Sequence, residues 1–190
     1  MDPIPAFDEI LAGARAGEAQ AFERLWRAFH PALGRYFRVA APDAAEDLAS
    51  ETWLQSARDI RRFRGDEHAF RRWLFTIARH RLLDHQRKQR RDKTDPVPHD
   101  SLPESADTAD LVEERLSTAQ ALALIRTLPP AQAEAVALRV VAGLPVADVA
   151  RLLGKRPGAV RVLTSRGLRA LADHLERLRL RDPNHEDAST

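Results

Sequence analysis

The 190-residue chain contains no cysteine, which excludes disulfides, Cys-ligated zinc, iron–sulfur clusters and thiol catalysis. Glycine occurs 8 times, tyrosine once and phenylalanine 7 times. Against plentiful Ala, Leu and Arg, that scarcity favours helix over sheet. No stretch alternates with period two for long enough to argue a strand. No apolar run approaches the ~18 residues of a membrane span. Met1-Asp2-Pro3-Ile4-Pro5 has neither a basic n-region nor an apolar h-region. The expectation is a soluble, cytoplasmic protein without membrane insertion. A P-loop, Gly-x-Gly-x-x-Gly and Gly-x-Ser-x-Gly are all missing, so no catalytic constellation and no cofactor are expected. His80 and Asp84 stand at i, i+4 with His85 adjoining. No motif supplies a third ligand, and no metal site is assigned.

What is present is an unevenly divided charge. The net charge of the whole chain is +2. Residues 1–57 carry 5 basic and 9 acidic side chains, 58–93 carry 13 and 5, 94–125 carry 1 and 7, and 126–181 carry 11 and 4. Two basic blocks separated by an acidic stretch suit two contacts with anionic surfaces on one chain. Solvated helical faces would give the same count.

The helical pattern is continuous through the first half. From Ala21, apolar residues at Phe22, Leu25, Trp26, Phe29, Leu33, Tyr36 and Phe37 trace a 3.6-period stripe. Pro31 within it is expected to kink or restart the helix. Pro42-Asp43 with Glu46 three residues on reads as a capping box opening a helix to about Ile60. After a break at Phe63-Arg64-Gly65-Asp66, the residues Phe70, Trp73, Leu74, Ile77, Ala78 and Leu82 trace another helix to about Lys88. Residues 93–112 hold Pro96, Pro98 and Pro103 among Asp, Ser and Thr, and read as a flexible acidic linker. Fully extended it reaches ~65 Å.

Short helices follow. One covers residues 111–128 and stops at Pro129-Pro130; the next covers 131–142 with Gly143 past its end. Pro145 opens a third, whose apolar face is Val146, Val149, Ala150, Leu152 and Leu153 before Gly154. A last helix from about Gly158 should turn Val160, Leu163, Leu168, Leu171 and Leu175 inward. A short helix, a Gly-containing turn and a longer helix on which the basic residues Arg156, Arg161, Arg166 and Arg169 cluster form a helix-turn-helix pattern. The fold expected is all-α: two small helical domains, 8–92 and 113–178, with a linker at 93–112 and a disordered tail at 179–190.

Three segments carry a resemblance. Ala44-Ala45-Glu46-Asp47-Leu48-Ala49-Ser50-Glu51-Thr52-Trp53-Leu54 is the first. Phe63-Arg64-Gly65, followed by Phe70-Arg71-Arg72-Trp73-Leu74-Phe75-Thr76-Ile77-Ala78-Arg79-His80-Arg81-Leu82-Leu83-Asp84-His85, is the second and most specific. Leu128-Pro129-Pro130, Gly143-Leu144-Pro145-Val146-Ala147-Asp148-Val149-Ala150 and Gly158-Ala159-Val160-Arg161 form the third. In this order they resemble the extracytoplasmic-function (ECF) sigma factors of the sigma-70 family over about residues 10–178. Ser50 stands where that family often has Gln, His80 where Asn is common, and Val162-Leu163-Thr164 where Ser-Arg-Leu is usual. The base preference of the last helix therefore does not carry over.

The resemblance implies binding to core RNA polymerase, through the clamp helices of its largest subunit and its flap region, and reading of promoter DNA. Asp47 and Glu51, at i, i+4 on one helix face, with Leu48 and Trp53, are the candidate core-polymerase contacts. Arg79, His80, Asp84, Arg87 and Lys88 are the candidates for the −10 element, cations for phosphates and His80 and Asp84 for base edges. Lys155, Arg156, Arg161, Thr164, Ser165 and Arg169 are the candidates for the −35 element, read in the major groove. The ~65 Å linker reach matches roughly 20 base pairs at ~3.4 Å rise. The resemblance also implies an anti-sigma partner. The other class considered is a stand-alone helix-turn-helix transcription regulator.

Overall fold

A computed structural model describes Ile4, residues 6–92 and residues 109–181, with side chains in the second stretch from 118 to 177. The described residues form eight α-helices and no strand. Residues 93–108 of the linker expected over 93–112, and 182–190 of the tail expected over 179–190, lie outside them.

Four helices make the first lobe: α1 (Phe7–Ala16), α2 (Ala19–Ala40), α3 (Ala45–Asp59) and α4 (Glu67–Asp92). α1 buries Phe7, Ile10, Leu11 and Ala14 against α2, an i, i+3, i+4, i+7 stripe. α2 runs unbroken for 22 residues through Pro31, which is exposed, so its ring meets solvent and the expected restart does not occur. Nor does the capping box form. Pro42–Ala44 is a single 3-10 turn, the N-cap of α3 is Ala44 with no side-chain bond, and Glu46 faces Arg38 at 4.0 Å instead. The turn consumes the residues that would have placed Asp43 at the cap. α4 does have a side-chain cap: Asp66 Oδ1 accepts from the Ala69 amide at 2.7 Å.

Phe70 is the hub of this lobe. Its ring lies 5.9 Å from Phe7, 5.1 Å from Phe29, 5.5 Å from Phe63 and 5.4 Å from Trp73, mostly tilted or edge-on. Such pairs add about 0.5–1.5 kcal/mol beyond burial.

The second lobe holds α5 (Ala109–Arg126), α6 (Pro130–Val136), α7 (Val146–Leu153) and α8 (Pro157–Arg181). Thus α5 begins two residues before Leu111, and α8 includes residues 179–181 of the expected tail. α6 continues as a π-helical turn, Ala137–Val141, in which the Ala142 amide reaches back to the Ala137 carbonyl. Gly143 (φ 69°) and Gly154 (φ 62°) take the left-handed conformation that ends each segment. On α8 the inward stripe is Val160 and Gly167, both buried, with Thr164 and Leu171 half-buried, whereas Leu168 and Leu175 face outward. The inward expectation for those two leucines fails because α8 approaches α6 through Gly167, and that contact rotates the seam away from them.

The two lobes share one apolar cluster, with α2 packed on α5 and on the π-turn.

Candidate polymerase and nucleic-acid surfaces

α3 presents Asp47 and Glu51 to solvent, and buries Leu48 and Trp53. Thr52 and Ser56 on its inner side are satisfied by the Leu48 and Trp53 carbonyls at 2.7 and 2.8 Å, so that side packs without an orphan hydroxyl. Leu48 therefore supports the acidic ridge from beneath, while Trp53, mostly buried, meets Phe22 edge-on at 5.7 Å and lends an edge to the groove beside the ridge. The apolar component of the surface comes from residues that the sequence pattern assigned to the core or did not single out. Leu54 is 59% exposed and Trp26 40% exposed. With His30, Glu46 and Ser50 they line a groove of about 490 Å³. Trp26 stacks on His30 at 4.4 Å and 18°, and burial holds the His30 imidazole below its ordinary range.

The α4 candidates divide between two sides. His80, Asp84 and Arg87 line a groove of about 580 Å³ against Gln55 and Asp59 of α3. Arg87 donates to Asp84 at 3.0 Å and Arg81 to Gln55 at 3.0 Å. Lys88 is exposed one turn on. Arg79 points the other way, into the second lobe, and donates to Glu134 at 3.2 Å. The adjacent Tyr36 hydroxyl is fully buried without a partner, and burial together with the Glu134 charge pushes its pKa well above the usual phenol value.

On α7 and α8 the helix-turn-helix is in place. Lys155 and Arg156 are exposed in the turn, and Arg161, Ser165 and Arg169 are exposed at i, i+4 and i+8 on one face of α8. Thr164 does not join them. It lies on the buried seam with its Oγ1 enclosed and unpartnered.

The structure also adds residues that sequence reasoning missed. Asp148 of α7 is 3% exposed. Its carboxylate faces His68 Nε2 at 2.9 Å, Arg151 at 2.8 Å and Arg72 at 3.5 Å. Two of those three partners, His68 and Arg72, come from α4, across the lobe boundary. Among the described residues, no group of three or more His, Asp or Glu side chains is placed to hold a metal ion. No helix among them is long and apolar enough to cross a membrane.

Sigma-70 region 2 matches residues 25–92 and Sigma-70 region 4 matches 118–171, one on each lobe. The chain belongs to the ECF sigma factors of the sigma-70 family. Among similar ECF sigma factors, BldN of Streptomyces coelicolor is 40% identical over 86% of this chain and 64% of its own length. ShbA of Streptomyces griseus is 36% identical over 90% of this chain and 98% of its own. SigD of Mycobacterium tuberculosis is 32% identical over 88% and 83%. The chain thus spans just under two thirds of BldN and nearly all of ShbA. A sigma factor RpoE from Bartonella quintana, solved with the anti-sigma factor NepR, shares the fold at TM-score 0.61 and 24% identity, over 83% of this chain and 98% of that one. CnrH, solved with the cytosolic domain of CnrY, does so at TM-score 0.59 and 21% identity, over 88% and 96%.

Proposed function

We propose that this chain is an alternative sigma factor that docks on core RNA polymerase through the α3 ridge and directs it to promoters through α4 and α8. The observation that carries the reading is the distribution of exposed charge within the family order of parts. An acidic ridge, Asp47 and Glu51, flanks the exposed Leu54, while His80, Asp84 and Arg87 share a groove on α4 and Arg161, Ser165 and Arg169 share a face of α8. An acidic ridge with an apolar edge suits a basic, partly apolar pair of polymerase helices. A cationic recognition-helix face suits a major groove, and a mixed-charge groove on α4 suits a melted strand, its cations on phosphates and its His and Asp on bases.

Residues 8–92 then serve core binding and −10 recognition, and 113–178 serve −35 recognition, with the polymerase flap as the second lobe's docking partner. In this reading the chain works in the cytoplasm, holds no cofactor and has no active site of its own; the polymerase supplies the chemistry. The fold shared with an RpoE solved together with the anti-sigma factor NepR supports an anti-sigma partner for this chain as well.

Run-off transcription with purified core polymerase, on fragments upstream of the chain's own operon, tests the proposal. Specific initiation that requires the chain is expected. A core-polymerase pull-down in the same reactions separates the failures: binding without initiation indicts the promoter fragment, whereas no binding, with tight binding to duplex DNA alone, establishes the stand-alone regulator instead.

A further inference from the structure

Trp26 stands on the wall between two hollows of the first lobe. On one side is the groove of about 490 Å³ beside the acidic ridge, with His30, Glu46 and Leu54. On the other is a hollow of about 410 Å³ that reaches Glu18, Glu23 and Arg61. Phe22 and Ala57 border both. The angle of the indole therefore decides the shape of the apolar surface that a partner meets. An exposed side chain turns readily between its rotamers, and here a stack fixes it. The His30 ring, one turn along α2, lies 4.4 Å from the indole at 18°.

That stack suits a neutral imidazole. His30 Nδ1 is enclosed and, among the described residues, has no hydrogen-bond partner. A neutral ring can leave this nitrogen bare, whereas an imidazolium puts an N–H there that must find an acceptor. Charges face the ring from two helices. Glu46 of α3 draws a proton onto it, Arg38 of α2 opposes this, and Arg38 itself stands 4.0 Å from Glu46. Among the described residues that line the groove, Glu46 is the only one besides His30 with a side chain that ionises near neutral pH.

We propose that His30 is a positioning residue for core-polymerase docking: its neutral ring sets Trp26 as the apolar wall of the docking groove, and its protonation weakens docking. This rests on the assignment of the α3 ridge to core polymerase. Protonation acts through three effects of one sign. The N–H gained turns the ring toward Glu46 or water and releases the indole. The same ring neutralises Glu46, which belongs to the acidic surface. The charge gained repels a basic partner. Docking therefore expels a proton, and by linkage acid opposes docking.

Affinity of the dye-labelled full chain for purified core polymerase is measured by fluorescence anisotropy from pH 8.0 to 5.5. The dissociation constant should rise by about threefold toward pH 5.5, as expected for one imidazole that must stay neutral in the complex. His30→Ala and Trp26→Ala should each weaken binding about tenfold at pH 7.5. The double alanine variant should be little worse than either, because one side chain acts through the other. His30→Phe, which keeps a ring and loses the proton, should recover most of the affinity and flatten the acid rise. The polymerase titrates identically in every mixture, so the difference between variants reads His30 alone. Circular dichroism at each pH checks that the helices persist, and His30→Gln carries the pH comparison if His30→Phe does not fold. An unmodified chain whose pH profile coincides with that of the uncharged variant, or additive losses in the two alanine variants, overturns the role of His30. With either result, loss of binding in Asp47→Arg/Glu51→Arg leaves the ridge assignment standing; core binding that survives that reversal overturns both.

Discussion

A Cβ placed on Gly167 of α8 would stand 2.8 Å from Cγ2 of Val136 on α6. Leu128 and Gln132 close the same spot at 3.3 and 3.5 Å, so the helix-turn-helix is seated by the absence of a side chain. In an ordinary helix Gly→Ala gains about 0.5–1 kcal/mol; here the overlap costs about 1–3 kcal/mol. Gly167→Ala should therefore lower the stability of the second lobe and weaken duplex −35 binding, read by chemical denaturation and by a mobility-shift assay with the polymerase complex.

The Thr164 hydroxyl sits on the same seam with no partner. Thr164→Val removes a buried, unsatisfied polar group at nearly constant shape, and should raise the melting temperature while leaving promoter choice unchanged. By contrast, Arg161→Ala/Arg169→Ala should lower the slope of log affinity against log salt by about 1 for each phosphate no longer neutralised.

Charge reversal of the exposed pair, Asp47→Arg/Glu51→Arg, should abolish core-polymerase binding in a pull-down and leave the helical dichroism intact. Leu48→Ala, one residue along but buried, should instead cost about 2–5 kcal/mol of stability. The two variants separate a ridge that touches the partner from the side chains that hold the ridge up.

Phe70→Ala removes the ring that joins Phe7, Phe29, Phe63 and Trp73. A loss of about 3–5 kcal/mol is expected in equilibrium denaturation.

The imidazole of His30 is held below its ordinary 6.5, first by burial and then by Arg38, against the opposing pull of Glu46. Between the folded value and 6.5 the unfolded chain binds more protons, so stability rises with pH across that window and falls as acid is added. Thermal melts from pH 7.5 to 5 should show this decline, and His30→Phe, which keeps a ring against Trp26, should flatten part of it.

Much of this architecture is legible in the chain. The stripes of α2 and α4, the Pro129-Pro130 stop and the glycine that ends α7 follow from local chemistry, and the structure has each of them. The spacing of Phe7, Ile10, Leu11 and Ala14 carries the signal for α1, although no cap marks its start. Leu168 and Leu175 escape a periodicity argument because it finds a stripe without saying which side a neighbour will approach; Gly167 decides that. The acidic ridge is legible as an i, i+4 pair, but its apolar edge is not, since Trp26 and Leu54 fit a core pattern equally well. Least legible is the Asp148 cluster. His68 and Asp148 lie 80 residues apart, and both Asp148 and Glu134 are minority acids in a basic block, where a summed charge conceals them.

Tyr36 is the only tyrosine in the chain, and its phenol is wedged beside a carboxylate that belongs to the other lobe. Ultraviolet absorbance of the phenolate consequently has a single origin. Its appearance on alkaline titration is a label-free reporter on that wedge, delayed first by the burial of the ring and then by the neighbouring Glu134 charge.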